Sequence, residues 1–169
     1  MHMSKIRLTK TELKKQKEAL QRFRRYLPTL ILKKQQLQAE INRIQYALEQ
    51  EKARRDKFRR EIDRWVACFG EDAGLDKLVS LEKVVLEEGN IAGIDIPVFK
   101  DARFRVGDYD AMLTPLWVDA GIEAVKEETT LNIKINTLEE QLKLVREELR
   151  TTTQRVNLFE KVKIPEARE

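Results

Sequence analysis

Two stretches of this chain repeat apolar residues in alternating steps of three and four. The first runs through Leu20, Phe23, Leu27, Leu30, Lys34, Leu37, Ile41, Ile44 and Leu48. The second runs through Leu131, Ile135, Leu138, Leu142, Val145, Leu149, Thr152, Val156 and Phe159. In each, only one position, Lys34 or Thr152, breaks the apolar pattern. Alternating three-four spacing is the seam of a coiled coil. A helix with such a seam gains most of its stability by packing it away, so each needs a partner. Two seams flanking an insert therefore predict a mainly α chain: a long antiparallel two-helix coiled-coil hairpin with a small central α+β head containing a short β-hairpin. The composition agrees, with 37% charged residues, 7% aromatics and only six Gly and four Pro in 169 residues.

The first helix has a start signal in "LTKTEL". Thr9 suits the N-cap, and Glu12 three residues on can reach back, which makes a capping box. The seam lapses at Glu51 and Arg55 and resumes at Phe58, Ile62, Trp65 and Phe69. A helix from Thr9 to Phe69 would be about 90 Å long. Pro28 falls inside it and costs about 3 kcal/mol in a helix interior. Because Leu27 and Leu30 stay in phase across it, a bend is expected and not a break.

The middle of the chain changes character. Five of the six glycines lie from Gly70 to Gly107, and "LEKVVLEEGNIAGIDIPVF" carries β-branched alternation with Ile94, Ile96 and Val98 on one face. Turn residues at "EEGN" and "IAGI" predict one or two short strands forming a hairpin. The third segment opens at "TPLWVDAGIE", where Thr114 suits a cap and Pro115 the first helical position. The expected divisions are an N-terminal coiled-coil helix over 1–69, a head over 70–115 and a C-terminal helix over 116–169.

Chemistry-bearing motifs are missing from the sequence. It contains no phosphate-binding glycine loop, no GxGxxG after a strand and no HExxH. The one cysteine, Cys68, excludes an internal disulfide and a cysteine-based zinc site, and among Trp65, Val66 and Phe69 it reads as a buried apolar residue. The one histidine, His2, stands in "MHM", which reads as an added scar before a natural start at Met3. Carboxylate pairs such as Glu139-Glu140 and Glu147-Glu148 fall on an outward helix face. No cofactor, metal or catalytic site is expected. Absence of a signal peptide or a long apolar run points to a soluble, intracellular part.

The net charge of +4 hides an uneven distribution. Residues 1–69 hold 19 Lys and Arg against 8 Asp and Glu, while residues 70–169 hold 14 against 21, so the two parts attract. The basic runs "RFRR" and "ARRDKFRR" raise nucleic acid as a partner. Acidic residues interleave the second, and Phe23 and Phe58 belong to the seam, so the runs read as charged flanks of a coil. A lysine at Lys34 costs stability in a seam but can fix register or meet an acidic partner.

Several segments, in order along nearly the whole chain, carry a resemblance: "LTKTELKKQKEAL", "RRYLPTLILKKQQLQ", "GIDIPVF", "TPLWVDAGIE" and "RVNLFEKVKIPE". Together they resemble the D subunits of rotary V-type ATPases and of the related archaeal and bacterial ATP synthases. That resemblance implies a central rotor shaft without an active site of its own. Its two paired helices would stand in a ring of catalytic and non-catalytic A and B subunits, turned by ATP hydrolysis. A small F subunit would bind its side, and the head would face the subunit capping the membrane rotor. The implied location is cytoplasmic and peripheral to the membrane, with torque driving protons or sodium ions, or running backwards to make ATP.

A shaft turning in a ring needs weak, changeable contacts, which makes Arg24, Arg25, Lys33 and Lys34 candidates for meeting acidic loops electrostatically. The hairpin from Gly89 to Phe99, with Ile94, Ile96 and Val98, is the second candidate contact. Members of the family continue some tens of residues past "IPE", so a C-terminal truncation at Glu169 is expected. Leu13 and the first turns would then lack a partner and bury themselves in another copy of the chain. Two other classes share the outline: a prefoldin-like chaperone associating through its hairpins, and a basic coiled-coil arm that binds RNA with steep salt dependence.

Overall fold

The computed structural model describes residues 9–66, 74–110, 112 and 115–167. Expectations resting on Cys68, Phe69, Gly70 and Thr114 lie outside these residues. The elements are α1 (Lys10–Val66), α2 (Leu75–Leu78), β1 (Val79–Ile91), β2 (Ile94–Val106), α3 (Val118–Leu158), a π-helical turn (Phe159–Lys163) and α4 (Ile164–Glu166). The chain is mainly α, with one two-stranded antiparallel sheet.

At the start of α1 the Glu12 N–H donates to Thr9 Oγ1 at 3.2 Å, so Thr9 is the cap the sequence predicts. The helix runs unbroken through Pro28, as expected. It passes through two compact units, one of Met1–Glu40 with Val145–Glu169 and the other of Ile41–Leu144.

In the first unit, α1 and the C-terminal helical segment run antiparallel. Phe23 meets Phe159 with ring centroids 5.1 Å apart, and further along α1 Lys33 meets Glu148. The seam is Leu20, Phe23, Leu27 and Leu30, all half-buried, with buried Leu37. Val145, Thr152 and Val156 are buried on the other helix. Lys34 corrects the expected seam. It is exposed, and Lys33 lies inward instead. Positions 33 and 34 both flank the line from Leu30 to Leu37, and the inward one is the lysine with a carboxylate to meet.

In the second unit, Ile41, Ile44 and Leu48 are buried on α1, and Leu131, Ile135 and Leu142 on α3. Where the seam lapses, half-buried Arg55 donates to Asn132 Oδ1 at 3.4 Å. The hairpin is longer than expected, with 13 residues in each strand and bulges between Leu81 and Lys83 and between Val85 and Leu86. Its turn is Ala92-Gly93, flanked by the pair Ile91 and Ile94, with φ of 51° and 84°. Two consecutive positive φ angles mark the type I′ turn that matches strand twist. The Asn90 side chain closes it, donating to Asp95 Oδ1 at 2.8 Å and accepting from the Gly93 N–H at 3.0 Å.

"EEGN" is strand and not turn. Gly89 faces Ile96, and a Cβ there would stand 2.8 Å from Val98 Cγ2, so this glycine serves cross-strand packing. At the hairpin's base, Val79, Val118 and Ile122 form a core with Leu75, Leu78, Phe104, Tyr109, Trp117 and Val125 around it. Helix α3 begins at Val118 and not at Pro115, because Pro115 sits in a turn whose carbonyl accepts from the Val118 N–H at 3.0 Å. Burial of Val118, at 1% exposure, with Trp117 packed beside it, fixes that start.

Candidate interaction surfaces

The two basic runs of α1 have different fates. In the second unit the run from Ala53 to Arg60 is engaged within the chain. Arg54 Nη2 lies 2.9 Å from Glu127 Oε1, and Arg59 Nε donates to Glu128 Oε1 at 2.7 Å. Lys52 Nζ adds a bridge of 2.6 Å to Glu139 Oε1. The hydrogen bond and charge of Glu128 raise the Arg59 pKa above its ordinary value. These contacts tie α1 to α3.

In the first unit, Arg22, Arg24, Arg25 and Lys34 are all exposed. None of the four has an ion-pair partner among the described residues. Lys33 differs. Its Nζ lies 2.6 Å from Glu148 Oε1, both side chains are about a third exposed or less, and it is not a free surface charge. Of the four sequence candidates on α1, three stand free and one is held.

The hairpin candidates separate in the same way. Ile94 is half-buried and Ile96 is only 6% exposed, so both serve packing. Val98 reaches the surface, as do Leu81, Leu86 and Val106. The Gln141 side chain donates to the Pro97 carbonyl at 2.6 Å, and Lys134 Nζ lies 5.6 Å from the Phe99 ring centroid. Strand β2 is thereby held to α3. Ion pairs of Lys100 with Glu87 and of Arg105 with Glu82 cross the strands.

The sequence reading misses a further surface. An open groove of about 570 Å³ in the first unit is lined by Arg24, Leu27, Pro28, Ile31, Leu32, Gln35, Glu160 and Ile164. A proline stands in each of the two helical segments beside it. Pro28 has no N–H for the Arg24 carbonyl, and Pro165 has none for that of Lys161. The helix ahead of Pro165 widens into a π turn, in which the Ile164 N–H donates to the Phe159 carbonyl five residues back. The one signal for it is "LPTLIL", which has more apolar residues than one seam uses and leaves Ile31 and Leu32 outside.

Among the described residues no cluster of His, Cys, Asp and Glu could hold a metal ion, and no helix is long and apolar enough to cross a membrane. A family model for the ATP synthase D subunit matches residues 12–169. The chain belongs to the ATP synthase D-subunit family. The V-type ATP synthase D subunit of Borreliella burgdorferi is 43% identical over 166 residues, covering 98% of this chain and 82% of the relative. The proteins of the same name from Chlamydia pneumoniae and Chlamydia muridarum are both 34% identical. They cover 95% and 96% of this chain, and this chain covers 78% and 81% of them. In this member of the D-subunit family, then, the paired cations belong to the fold and the free ones to its surface.

Proposed function

We propose that this chain is the central rotor shaft of a V-type ATPase or ATP synthase. It couples ATP hydrolysis or synthesis in a ring of A and B subunits to proton or sodium movement across the membrane. The shaft itself is non-catalytic, and it sits peripherally on the cytoplasmic side through its complex. The small F subunit binds its flank, and the head with the hairpin meets the subunit that caps the membrane rotor. The observation that carries the reading is the division of cations in a family member. Arg24, Arg25 and Lys34 are unpaired, while the run from Arg54 to Arg59 is tied to α3.

The physics fits a bearing. Exposed ion pairs are each worth about 0–1 kcal/mol and are screened by salt. A surface of free Arg and Lys therefore offers many weak contacts to acidic loops, none strong enough to lock rotation. The same division speaks against an RNA-binding arm, since one of its two basic runs is already occupied.

The test is a reconstituted complex in which Arg24, Arg25 and Lys34 are all changed to Glu. The expected result is a loss of ATP-driven rotation and ion pumping by about tenfold, with the catalytic ring still hydrolysing ATP. Unchanged rotation, with the variant incorporated at normal stoichiometry, would remove the basic face from the mechanism. Failure of the unmodified chain to assemble with any ATPase component would remove the shaft reading itself.

A further inference from the structure

The groove at Pro28 has an apolar floor and two charged walls. Leu27, Ile31 and Leu32 come from α1 and Ile164 from the opposite helix, with Leu32 left 55% exposed. Arg24 stands on the α1 side and Glu160 on the other. Both are exposed, and neither has an ion-pair partner among the described residues, although they line one groove. A floor of aliphatic side chains between one free cation and one free anion has a particular symmetry.

A two-fold axis along the groove would set α1 of one copy over the C-terminal helix of another. Arg24 of each copy would then face Glu160 of the other, making two equivalent ion pairs around a shared apolar centre. Every helix in the resulting four-helix bundle has antiparallel neighbours, an arrangement that such bundles favour. A face that is complementary to itself in both charge and hydrophobicity fits a second copy of the same chain.

We propose that the free chain forms a two-fold dimer through this groove, with Leu27, Ile31, Leu32 and Ile164 at its centre and the Arg24–Glu160 pairs across it. The interface covers Arg24, one of the free cations, so the dimer excludes any other partner from that residue while it persists. The inference concerns the free chain and stands independently of the rotor reading.

The charges supply a test that works between chains. Arg24→Glu alone sets Glu against Glu160 twice in the dimer, and Glu160→Arg alone sets Arg against Arg24 twice. A one-to-one mixture of the two variants restores both opposite-charge pairs. Sedimentation equilibrium of the full chain at low salt is expected to show a concentration-dependent dimer. Each single variant should weaken it about tenfold, and the mixture should return to within about twofold of the unmodified chain. Leu32→Glu should abolish it. Circular dichroism checks that helicity is retained, as expected at exposed positions.

Three results would overturn the proposal: a monomer up to millimolar concentration, variants that dimerise like the unmodified chain, or a mixture no tighter than its components. Recovery in the mixture alone would fix the partner as a second copy and the pairing as Arg24 with Glu160.

Discussion

Lys33 Nζ lies 2.6 Å from Glu148 Oε1 across the first unit, and Thr152 Oγ1 donates to the same oxygen at 3.4 Å. Thr152 is 1% exposed, so the hydroxyl that interrupts the α3 seam has its polar partner inside the coil. Lys33, Glu148 and Thr152 form one polar layer within an otherwise apolar contact. Such layers cost stability relative to aliphatic packing but fix which residues face one another.

The layer gives the first unit a defined response to acid. The Lys33 hydrogen bond holds the Glu148 carboxyl below its ordinary value of 4.5 against the opposing effect of burial, helped by the charges of Lys33 and Arg155. A carboxylate with a depressed folded pKa contributes stability that is complete above the unfolded value and lost as pH falls through the folded one. Thermal unfolding of the unmodified chain should therefore drop from pH 6 to pH 3 more steeply than that of Glu148→Gln. Equal slopes would show that Glu148 does not supply this dependence.

The pair should also couple energetically. Lys33→Met alone leaves a half-buried carboxylate with one weak donor, and Glu148→Leu alone leaves a half-buried ammonium with none. The double variant removes both charges and extends the apolar seam. A double-mutant cycle is expected to give a coupling of about 1 kcal/mol, with the double variant no less stable than either single one. Additive single effects would mean the 2.6 Å contact contributes nothing net.

How much of this is legible in the sequence follows from what each signal measures. Three-four spacing finds the helices and most of the positions that bury, from Leu37 to Leu48 on α1 and from Leu131 to Val156 on α3. It cannot separate Lys33 from Lys34, since both flank the line from Leu30 to Leu37 and only the position of Glu148 decides. Strand alternation finds the hairpin, but a glycine in a turn and one in cross-strand packing look alike, which is why Gly89 reads as a turn residue. The fate of each cation depends on a residue far along the chain, as with Arg59 and Glu128, and no local pattern carries that.

The hairpin turn holds a removable strain. Ala92 has φ of 51°, a left-handed conformation that costs an L-residue with a Cβ about 1–2 kcal/mol. Asn tolerates it far better, and Asn-Gly is the preferred pair for a type I′ turn. Ala92→Asn is expected to raise the melting temperature by about 2 °C, close to the shift per kcal/mol for a chain of this size. An unchanged or lower value, measured by calorimetry, would place the turn in another conformation.

A side chain of α3 holds the hairpin at Pro97. Gln141 is 8% exposed on α3, and its side-chain amide donates to the Pro97 carbonyl at 2.6 Å. Replacing Gln141 with Leu leaves the Pro97 carbonyl facing an apolar group at the loss of about 1–1.5 kcal/mol, the usual net worth of such a bond. Hydrogen exchange at the amides flanking Pro97, those of Ile96 and Val98, should then quicken about tenfold. Those of Val118 to Ile122 should be unaffected if the hairpin opens by itself. A uniform change across both would mean that Gln141 supports the whole second unit and not the hairpin in particular.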